Sequence, residues 1–476
     1  MSVKFAPSKH KSKTSINLKE SDLEYLRNSL DHQFDFKLYK NPAAPAIAPN
    51  SIRGMSELPR TVANHIASAV AGYRPDASIL AGATTIVYAP FTSNYLNSTA
   101  ASWELQGIKL NPYGRRGKQA SYIIAGTTGS AISAGGTGAV YVGAIDGKST
   151  SSGSGSGQWI NFNVPFADAT GTSVYGPDIL SPGNGPGGTG KVALVGTWTK
   201  SSSSNLFGFY YKGSLDRLKT APTDTAGFKS FQATTTVGNN ALANYTYLHS
   251  IDGGYAVGNF STKAGFVNYT LNSGPDSGSY VYDPSRNSQI NAVYKDGYKY
   301  HSLFGIWQNN NKIYTVSGGA SDDGLLGIVK NLPSPGQGMP QDAVLGKGML
   351  ADIDPVTGNV TNEKLYNYQN DPSSDALTHF QGIYYAGNGV YEVPFDTITS
   401  TGKPNVGIAY IKRQENGTFS DKALWQTFTA PTSGGLLSND SVAGSGSVGA
   451  FSNGSFTSFA SISETNAYLV AAQFLH

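Results

Sequence analysis

The chain has 476 residues, with 34 Lys and Arg against 31 Asp and Glu, and no Cys. The lack of Cys excludes a disulfide scaffold, a thiol enzyme and a Cys-ligated zinc protein, and a formal charge of +3 predicts neither nucleic acid nor an anionic membrane as the main partner. Charged residues are only 14% of the chain while Gly reaches 57 residues, a balance that favours short strands and turns over exposed charged helices.

The first 60 residues differ from the rest, because they hold 10 basic and 6 acidic side chains, a net charge of +4. Asn17 and Glu20 fit a capping box and leucines three and four residues apart follow, so we predict an amphipathic helix from about Leu18 to His32. A Pro-rich linker follows at 41–50. A single apolar stripe needs a partner surface, either the body of the same chain or another subunit. We interpret residues 1–60 as a basic arm that docks the protein to an assembly.

Residues 61–99 are predicted to connect this arm to the main body. Apolar residues recur every four positions from Ser56 through Ala71, which predicts a second helix, and Ile79–Phe91 has the composition of a strand. No apolar region follows the N-terminal lysines as it would in a signal peptide, and no run of about 18 apolar residues could span a bilayer. We therefore expect neither a removable leader nor a membrane span.

The absence of Cys also bears on location. A Cys-free chain rich in Ser, Thr, Asn, Gly and Tyr is typical of extracellular bacterial proteins and virion proteins, because a stray thiol is a liability in an oxidising setting. The expected location is therefore an extracellular surface or a virion.

After about residue 100 the sequence consists of short β-rich segments separated by Gly, Asn, Asp and Ser. Gly-rich stretches at 147–157 and 181–190 are predicted to be exposed loops, and a hairpin turn is predicted at Asp354–Gly358. The clearest strand segments are Ala120–Ala125, Lys191–Val195, Gly278–Tyr282 and Gly407–Ile411.

A glycine recurs in similar surroundings every 52 to 77 residues, at Gly107, Gly176, Gly253, Gly305, Gly382 and Gly444. A second glycine follows several of these, at Gly196, Gly258, Gly318 and Gly449. A four-stranded propeller blade buries its faces only against its neighbours, so this repeat predicts an all-β chain with a six-bladed β-propeller over 100–476. Seven blades are the alternative if Ile79–Phe91 supplies strands to another blade or helps to close the ring, and a pair of β-sandwiches also fits.

Several segments of these units carry a likeness to known proteins, namely 172–178 (TSVYGPD), 195–199 (VGTWT), 208–213 (GFYYKG), 280–284 (YVYDP) and 305–307 (GIW). They resemble the HAF-type repeat proteins, a group of bacterial and viral proteins without an assigned activity, over about residues 170–400. The resemblance implies repeated β-units and brings no catalytic residues with it.

Three of the seven histidines lie at nearly one position of the repeat, since His249 and His301 come four residues before the aligned glycine and His379 comes three before it. Three imidazoles on the strand that lines a central channel could converge on a metal ion. The other three repeat units lack this His. We therefore predict that each imidazole makes hydrogen bonds within its own blade, and we expect no metal and no other cofactor.

Carboxylates and aromatic side chains are the other candidates for chemistry. The aromatic residues Trp198, Trp307, Tyr384 and Tyr385 could stack on sugar rings or anchor a protein interface, although alternate members of such runs are ordinarily core. Turn formation explains most of the carboxylates. The carboxylates near the repeated loops are Asp178, Asp252, Asp322, Asp323, Asp352, Asp354, Asp375, Asp396 and Asp440.

Two functions fit these observations. The first is a non-enzymatic surface, virion or secreted structural protein, whose propeller binds protein or glycan and whose arm docks it to a protein partner. The second is a carbohydrate-active hydrolase or lyase that uses the central face of the propeller, which would need two carboxyl groups about 5 to 9 Å apart. A channel plugged by side chains favours binding, and two close carboxylates beneath a pocket favour the enzyme.

Overall fold

The fold is taken from a computed structural model of the chain. It describes, by number, residues 2–3, 16–17, 84–90, 103–116, 119–128, 136–144, 158–181, 190–220, 223–235, 241–262, 277–295, 297–298, 300–309, 312–321, 346–371, 377–387, 389–398, 404–427, 441–443, 460–462 and 468–474. Both predicted N-terminal helices, the Pro-rich linker and the interiors of the two Gly-rich loops lie outside these residues.

The described residues are almost entirely β-structure, as the composition predicted. Strands are numbered in chain order, and short β1 (Ser2–Val3) pairs with β2 (Ile16–Asn17). Sheet 1 has the order β4–β5–β6–β7, with all neighbours antiparallel. Its strands are β4 (Trp103–Arg116), β5 (Gln119–Thr128), β6 (Thr137–Ala144) and β7 (Gln158–Phe162).

An eight-stranded sheet follows, built from two antiparallel halves that we call sheets 2 and 3. A single parallel pairing between Leu206 and Tyr245 links them. Sheet 2 contains β8 (Ala169–Ser181), β9 (Lys191–Lys200), β10 (Ser203–Ser214) and β11 (Phe228–Phe231), with helix α1 (Leu215–Thr220) after β10. Sheet 3 contains β12 (Tyr245–Asp252), β13 (Tyr255–Ser261), β14 (Ser277–Asp283) and β15 (Ser288–Asn291).

Two more antiparallel sheets follow along the chain. Sheet 4 contains β16 (Tyr300–Gln308), β17 (Tyr314–Ser321), β18 (Lys347–Ile353) and β19 (Val360–Tyr366), followed by a 3₁₀ turn at Tyr368–Asn370. Sheet 5 contains β20 (Leu377–Phe380), β21 (Tyr384–Gly387), β22 (Val390–Ile398), β23 (Pro404–Lys412) and β24 (Leu424–Thr427).

The remaining strands come from both ends of the chain. Strand β3 (Thr84–Pro90) pairs antiparallel with β27 (Tyr468–Phe474) along its whole length. Strand β25 (Ser441–Ala443) pairs with β26 (Ala460–Ile462), and β26 contacts β27. The prediction that Ile79–Phe91 contains a strand is therefore confirmed, and its partner is near the C-terminus.

The sheets pack against one another in chain order. Strand β4 contacts β8, β8 contacts β12, β12 contacts β16, and both β17 and β18 contact β20. Strand β25 then contacts β22 and β23 of sheet 5 as well as β4 of sheet 1. The hydrophobic core consists of the layers between neighbouring sheets, such as Phe162 against Phe209 between sheets 1 and 2.

The predicted strands and the predicted hairpin turn are also confirmed. The four clearest segments fall inside β5, β9, β14 and β23. In the turn between β18 and β19, the carboxylate of Asp354 accepts a hydrogen bond of 2.9 Å from the Val356 N–H, and Gly358 has a φ of 75°. None of the described helices is long and apolar enough to cross a membrane.

The first strand of sheets 1 to 4 has the same β-bulge. The register shifts between Leu105 and Gly107, Val174 and Gly176, Leu248 and Ser250, and Leu303 and Gly305. In sheet 5 the first strand is interrupted at the corresponding place, between β20 and β21. A bulge leaves one residue without a partner and bends the strand. The recurring glycine of the sequence is therefore the residue that follows the bulge.

The alignment of the third repeat unit was wrong, because Ser250 and not Gly253 occupies this position. A Cβ on Gly176 would lie 2.9 Å from Cα of Ser250, just as a Cβ on Gly305 would lie 2.9 Å from Cα of Gly382. Gly253 lies in the β12–β13 turn and has a φ of 56°. A turn glycine three residues further on was mistaken for the repeated one.

The second recurring glycine faces the bulge from the next strand. In sheets 1 to 4, which have the bulge, the residue before it pairs with a glycine, as Leu248 pairs with Gly258 and Leu303 with Gly318. In sheet 5, where the first strand is interrupted, Phe380 pairs with Phe395. A Cβ on Gly258 or Gly318 would collide with a carbonyl oxygen of the first strand. The bulge therefore forms only where its partner has no side chain.

Replacement of Gly318 by Ala tests this requirement. The added Cβ would overlap the carbonyl oxygen of Ser302, and two backbones cannot separate without breaking the sheet. We expect the free energy of unfolding, measured by chemical denaturation, to fall by about 3 kcal/mol, the upper end of the usual range for overpacking. Gly417→Ala is the control, since no atom lies within 4 Å of its added Cβ and only a φ of 86° opposes it. Equal losses in both variants would contradict the interpretation.

Candidate functional site

Two sets of residues lie at matching positions of the first strands of sheets 1 to 5. The bulge residues are Gln106, Tyr175, His249, Phe304 and Gln381, which precede the position of the repeated glycine. The rim residues come two positions after that glycine and are Lys109, Asp178, Asp252, Trp307 and Tyr384.

The side chains of the bulge residues are buried. All five are less than 5% exposed, and the ring of His249 stacks on that of Phe304 at 3.9 Å between centroids. Tyr175 lies 5.3 Å from His249, and Tyr247 stacks parallel to the same imidazole at 5.5 Å. Aromatic contacts of the bulge residues therefore link sheets 2, 3 and 4.

His379 extends this cluster with a polar contact between sheets. Its Nε2 shares a hydrogen bond of 2.7 Å with Oγ of Ser302 in sheet 4, and the Gln381 amide donates to its Nδ1 at 3.0 Å. A neutral imidazole satisfies both contacts, with Nε2–H as the donor to the hydroxyl. Burial lowers the pKa of His379 to about 3, and burial followed by the nearby His379 lowers that of His249 to about 3. Both rings are therefore neutral.

The three histidines do not form one cluster. His301 stacks on Tyr294 at 3.6 Å and approaches Glu363 at 3.4 Å, both outside the aromatic contacts of the bulge residues. We predicted that each imidazole makes its contacts within its own blade. The carboxylate partner of His301 belongs to sheet 4, which also contains His301, and this agrees with the prediction. His379 instead bonds to Ser302 in a neighbouring sheet, and this does not agree with it. Among the described residues, no group of three His, Asp or Glu side chains is arranged to hold a metal ion.

Lys109 joins three sheets at the rim. Its ammonium donates to Oδ1 of Asp178 at 2.9 Å, to Oδ1 of Asp252, and to the Ile251 carbonyl at 3.1 Å. The three charged side chains are only 11 to 15% exposed. Burial disfavours the charged ammonium, but the attraction of both carboxylates outweighs this effect and raises the pKa of Lys109.

The two carboxylates of this triad differ in their remaining contacts. Oδ2 of Asp252 accepts a hydrogen bond of 2.5 Å from the Gln308 N–H, so both of its oxygens are engaged. Oδ1 of Asp178 also accepts from the Ile179 N–H at 2.8 Å, while no group in the described part of the chain donates to its Oδ2. Burial raises the pKa of Asp178, with Lys109 opposing the rise and Asp252 adding to it.

The other side of the rim is aromatic. Trp307 and Tyr384 meet edge to face with 5.2 Å between ring centroids, and Tyr385 lies 6.4 Å from Trp307. All three rings are half-buried. The residue after Trp307 is Gln308, whose N–H bonds Asp252, so the aromatic pair is adjacent to the charged triad. The structure thus brings Trp307, Tyr384 and Tyr385 together, as the sequence could not show.

Trp198 is not part of this site. It lies on β9, the second strand of sheet 2, is 6% exposed, and packs against Phe166 and Phe207 at 4.9 and 4.8 Å. Its indole N–H donates to Oγ of Ser230 at 3.2 Å. The expectation that Trp198 is an exposed binding residue was wrong, because alternate positions of this strand face the core between sheets 1 and 2.

The other predicted carboxylates do not converge on the rim. Asp352 forms a bidentate ion pair with Arg413, which links sheets 4 and 5 and also reaches the Tyr391 hydroxyl at 3.2 Å. Asp354 is the turn residue described above. Asp322, Asp323, Asp375 and Asp440 lie outside the described residues, and for Asp396 only the backbone is described.

Lys109 is the functional candidate that sequence reasoning missed. A signal was present, because Lys109 follows Gly107 at the same distance at which Asp178 follows Gly176. Opposite charges at one position of successive repeat units predict contact between them wherever these positions face each other. The search for carboxylate pairs alone passed over this lysine.

Comparison with known proteins assigns no family. No family model matches the chain, and no curated protein matches it. Among solved structures, the extracellular domains 1–2 of Drosophila Semaphorin 1a are 10% identical, with a TM-score of 0.22 and coverage of 71% of this chain and 63% of that one. The extracellular domain of a hybrid two-component system from B. thetaiotaomicron is 8% identical, with a TM-score of 0.22 and coverage of 72% and 58%. This chain thus spans less than two thirds of either structure, and likenesses this distant carry no argument.

The neutral, buried histidines predict a loss of stability in acid. Unfolded His has a pKa of about 6.5 and His379 has one of about 3, so the unfolded state binds more protons between these values and stability falls as the pH falls through them. We expect a loss of up to about 1.4 kcal/mol per pH unit for each such residue in denaturant titrations.

His379→Gln should be less stable at neutral pH, because the ring contacts are lost, but its stability should fall less steeply in acid than that of the wild type. Parallel pH profiles for the two proteins would contradict the assignment of a neutral, buried His379.

Proposed function

We propose that the chain is a six-bladed β-propeller and that it binds glycans at its rim without turning them over. Sheets 1 to 5 supply five blades. Strands β25, β26 and β27 with the N-terminal β3 supply the sixth. This proposal rests on the chain-order packing of the sheets and on the contacts of β25 with both sheet 5 and β4. The pairing of β3 with β27 would close the ring, so a seventh blade is not needed.

The observation that carries the binding proposal is the aromatic pair Trp307 and Tyr384 beside the triad. Sugar sites combine aromatic faces, which stack on the apolar side of a sugar ring, with a few fixed polar groups that receive its hydroxyls. The rim supplies both. In the proposed ring the buried bulge residues would fill the centre, so a ligand would contact the rim and would not enter a channel.

The same contacts disfavour the hydrolase alternative. A glycoside hydrolase needs one carboxyl group as proton donor and a second group free to attack or to activate water. At the rim the candidate pair is Asp178 and Asp252, and Lys109 holds one oxygen of each. Such a bridged pair suits positioning better than proton transfer.

We further propose that the protein acts on an extracellular or virion surface and that its N-terminal arm docks it to a protein partner. The support comes from composition alone, namely the lack of Cys and the net charge of +4 in residues 1–60. The resemblance to HAF-type repeat proteins remains a prediction as well.

Deletion of residues 1–60 tests the role of the arm. We expect the truncated protein to keep the melting temperature of the full chain but to lose self-association or co-purification with its partner, measured by light scattering and pull-down. Since β3 begins at Thr84, the deletion leaves the pairing with β27 intact. Unchanged assembly after deletion would contradict a docking role.

Trp307→Ala tests the binding site. On a glycan array followed by calorimetry, we expect wild-type binding to weaken at least tenfold in this variant, since loss of a central aromatic anchor commonly costs more than about 1.4 kcal/mol. Trp159→Ala is the matched control, because Trp159 is another half-buried indole that contacts an aromatic ring, Tyr141 of sheet 1, at 5.3 Å between centroids.

Equal losses in both variants, or no glycan binding by the wild type, would contradict the proposal. Turnover of polysaccharide by the wild type would favour the hydrolase instead.

A further inference from the structure

The charges at the rim are not balanced. When both are ionised, Asp178 and Asp252 carry two negative charges against the single positive charge of Lys109, in a group that is only 11 to 15% exposed. Negative charge in a poorly solvated position attracts a cation more strongly than charge in open water.

One carboxylate oxygen at the rim is open to a ligand. Asp178 is 8% exposed, yet within the described part of the chain no donor reaches its Oδ2, while its Oδ1 already accepts two hydrogen bonds. Asp252 differs, because both of its oxygens are engaged. A donor that arrives at the rim would therefore meet Oδ2 of Asp178 first, and a charged donor makes the stronger hydrogen bond.

The aromatic pair suits the same kind of ligand. The face of a Trp or Tyr ring attracts a cation through its quadrupole, and it also stacks on the apolar face of a sugar. A sugar that carries an ammonium group could use both attractions at one site. Phosphorylated, sulfated or carboxylated sugars would face repulsion from Asp178 and Asp252 instead.

We infer that the rim recognises amino sugars with a free, protonated amine, with the ammonium on Oδ2 of Asp178 and the sugar ring against Trp307 and Tyr384. This inference rests on the glycan-binding function proposed above and names its ligand class. Lys109 is a positioning residue here, because it holds Oδ1 of Asp178 and leaves Oδ2 for the ligand.

The test compares glucosamine oligomers with the same oligomers after complete N-acetylation, by calorimetry in buffer that protonates the amine but leaves Asp178 ionised, because burial raises the pKa of this carboxyl. The two probes have the same ring and linkage and differ in the acetyl group and in the charge. We expect the charged oligomers to bind the wild type at least tenfold more tightly, and this preference to disappear when the pH is raised until the amine is neutral.

Asp178→Asn removes the charge and keeps the shape, so it should abolish the preference while leaving the weaker binding of acetylated oligomers in place. Asp224→Asn is the matched control, because this aspartate lies in the loop between α1 and β11, pairs with Arg217 of α1 and should keep the preference. If Asp178→Asn fails to fold, the pH dependence of the wild type decides the question without a variant.

The outcomes separate the two proposals. Equal or tighter binding of acetylated oligomers, or a preference that persists in Asp178→Asn or at a pH where the amine is neutral, would overturn the inference and leave glycan binding standing. Absence of binding to either oligomer and to a glycan array would overturn both. Binding of lysine-rich peptides in place of sugars, lost in Asp178→Asn, would also overturn both and identify a protein ligand.

Discussion

The close approach of the first strands of neighbouring sheets is the constraint on which the rest of the structure depends. At Gly107, Gly176 and Gly305 the next sheet comes so near that a Cβ would strike its backbone. The bulge before each of these positions bends the strand into this contact, and a glycine across the sheet makes room for the bulge. In sheets 1, 2 and 4 two glycines thus fix how closely the sheets can lie, and the apolar layers between the sheets fill the space that remains.

This constraint also determines where side chains can be used for function. In a strand, alternate residues point to the same side, so the residue two positions after the glycine faces the neighbouring sheet just where the strands diverge. The fold requires no particular side chain there. The five described sheets place Lys109, Asp178, Asp252, Trp307 and Tyr384 at this one position, and each contacts the adjoining sheet at that end. One register position therefore carries three charged and two aromatic side chains, whereas the bulge position carries side chains that are buried.

The sequence predicted the strands and the repeat because both leave local signatures. β-Branched and aromatic runs mark β5, β9, β14 and β23. A position that has no room for a Cβ is marked by a glycine. Prediction from the sequence failed where the same residue pattern arises from two different structural causes. Gly253 serves a turn and not the close approach, and Ser250 fills the repeated position with a small side chain. Trp198 and Trp307 have similar sequence surroundings, yet one lies on a second strand within the core and the other at the rim. Strand order within a sheet decides this difference, and no local pattern encodes it.

The charged side chains at the rim are not those that stability alone would favour. A buried ion pair is often no more stabilising than apolar residues of the same volume, because desolvation offsets the attraction between the charges. Elsewhere in the described chain, Asp352 and Arg413 meet this cost with a bidentate pair and with further hydrogen bonds from Arg413 to Thr315 and Gly417. The triad at Lys109 is different, since it retains a surplus carboxylate whose outer oxygen has no donor among the described groups. Stability alone would favour a second cation or an apolar replacement there. Burial and the nearby Asp252 raise the pKa of Asp178, which is the cost that the fold bears for this surplus carboxylate, and a cationic ligand of the kind inferred above would lower it again.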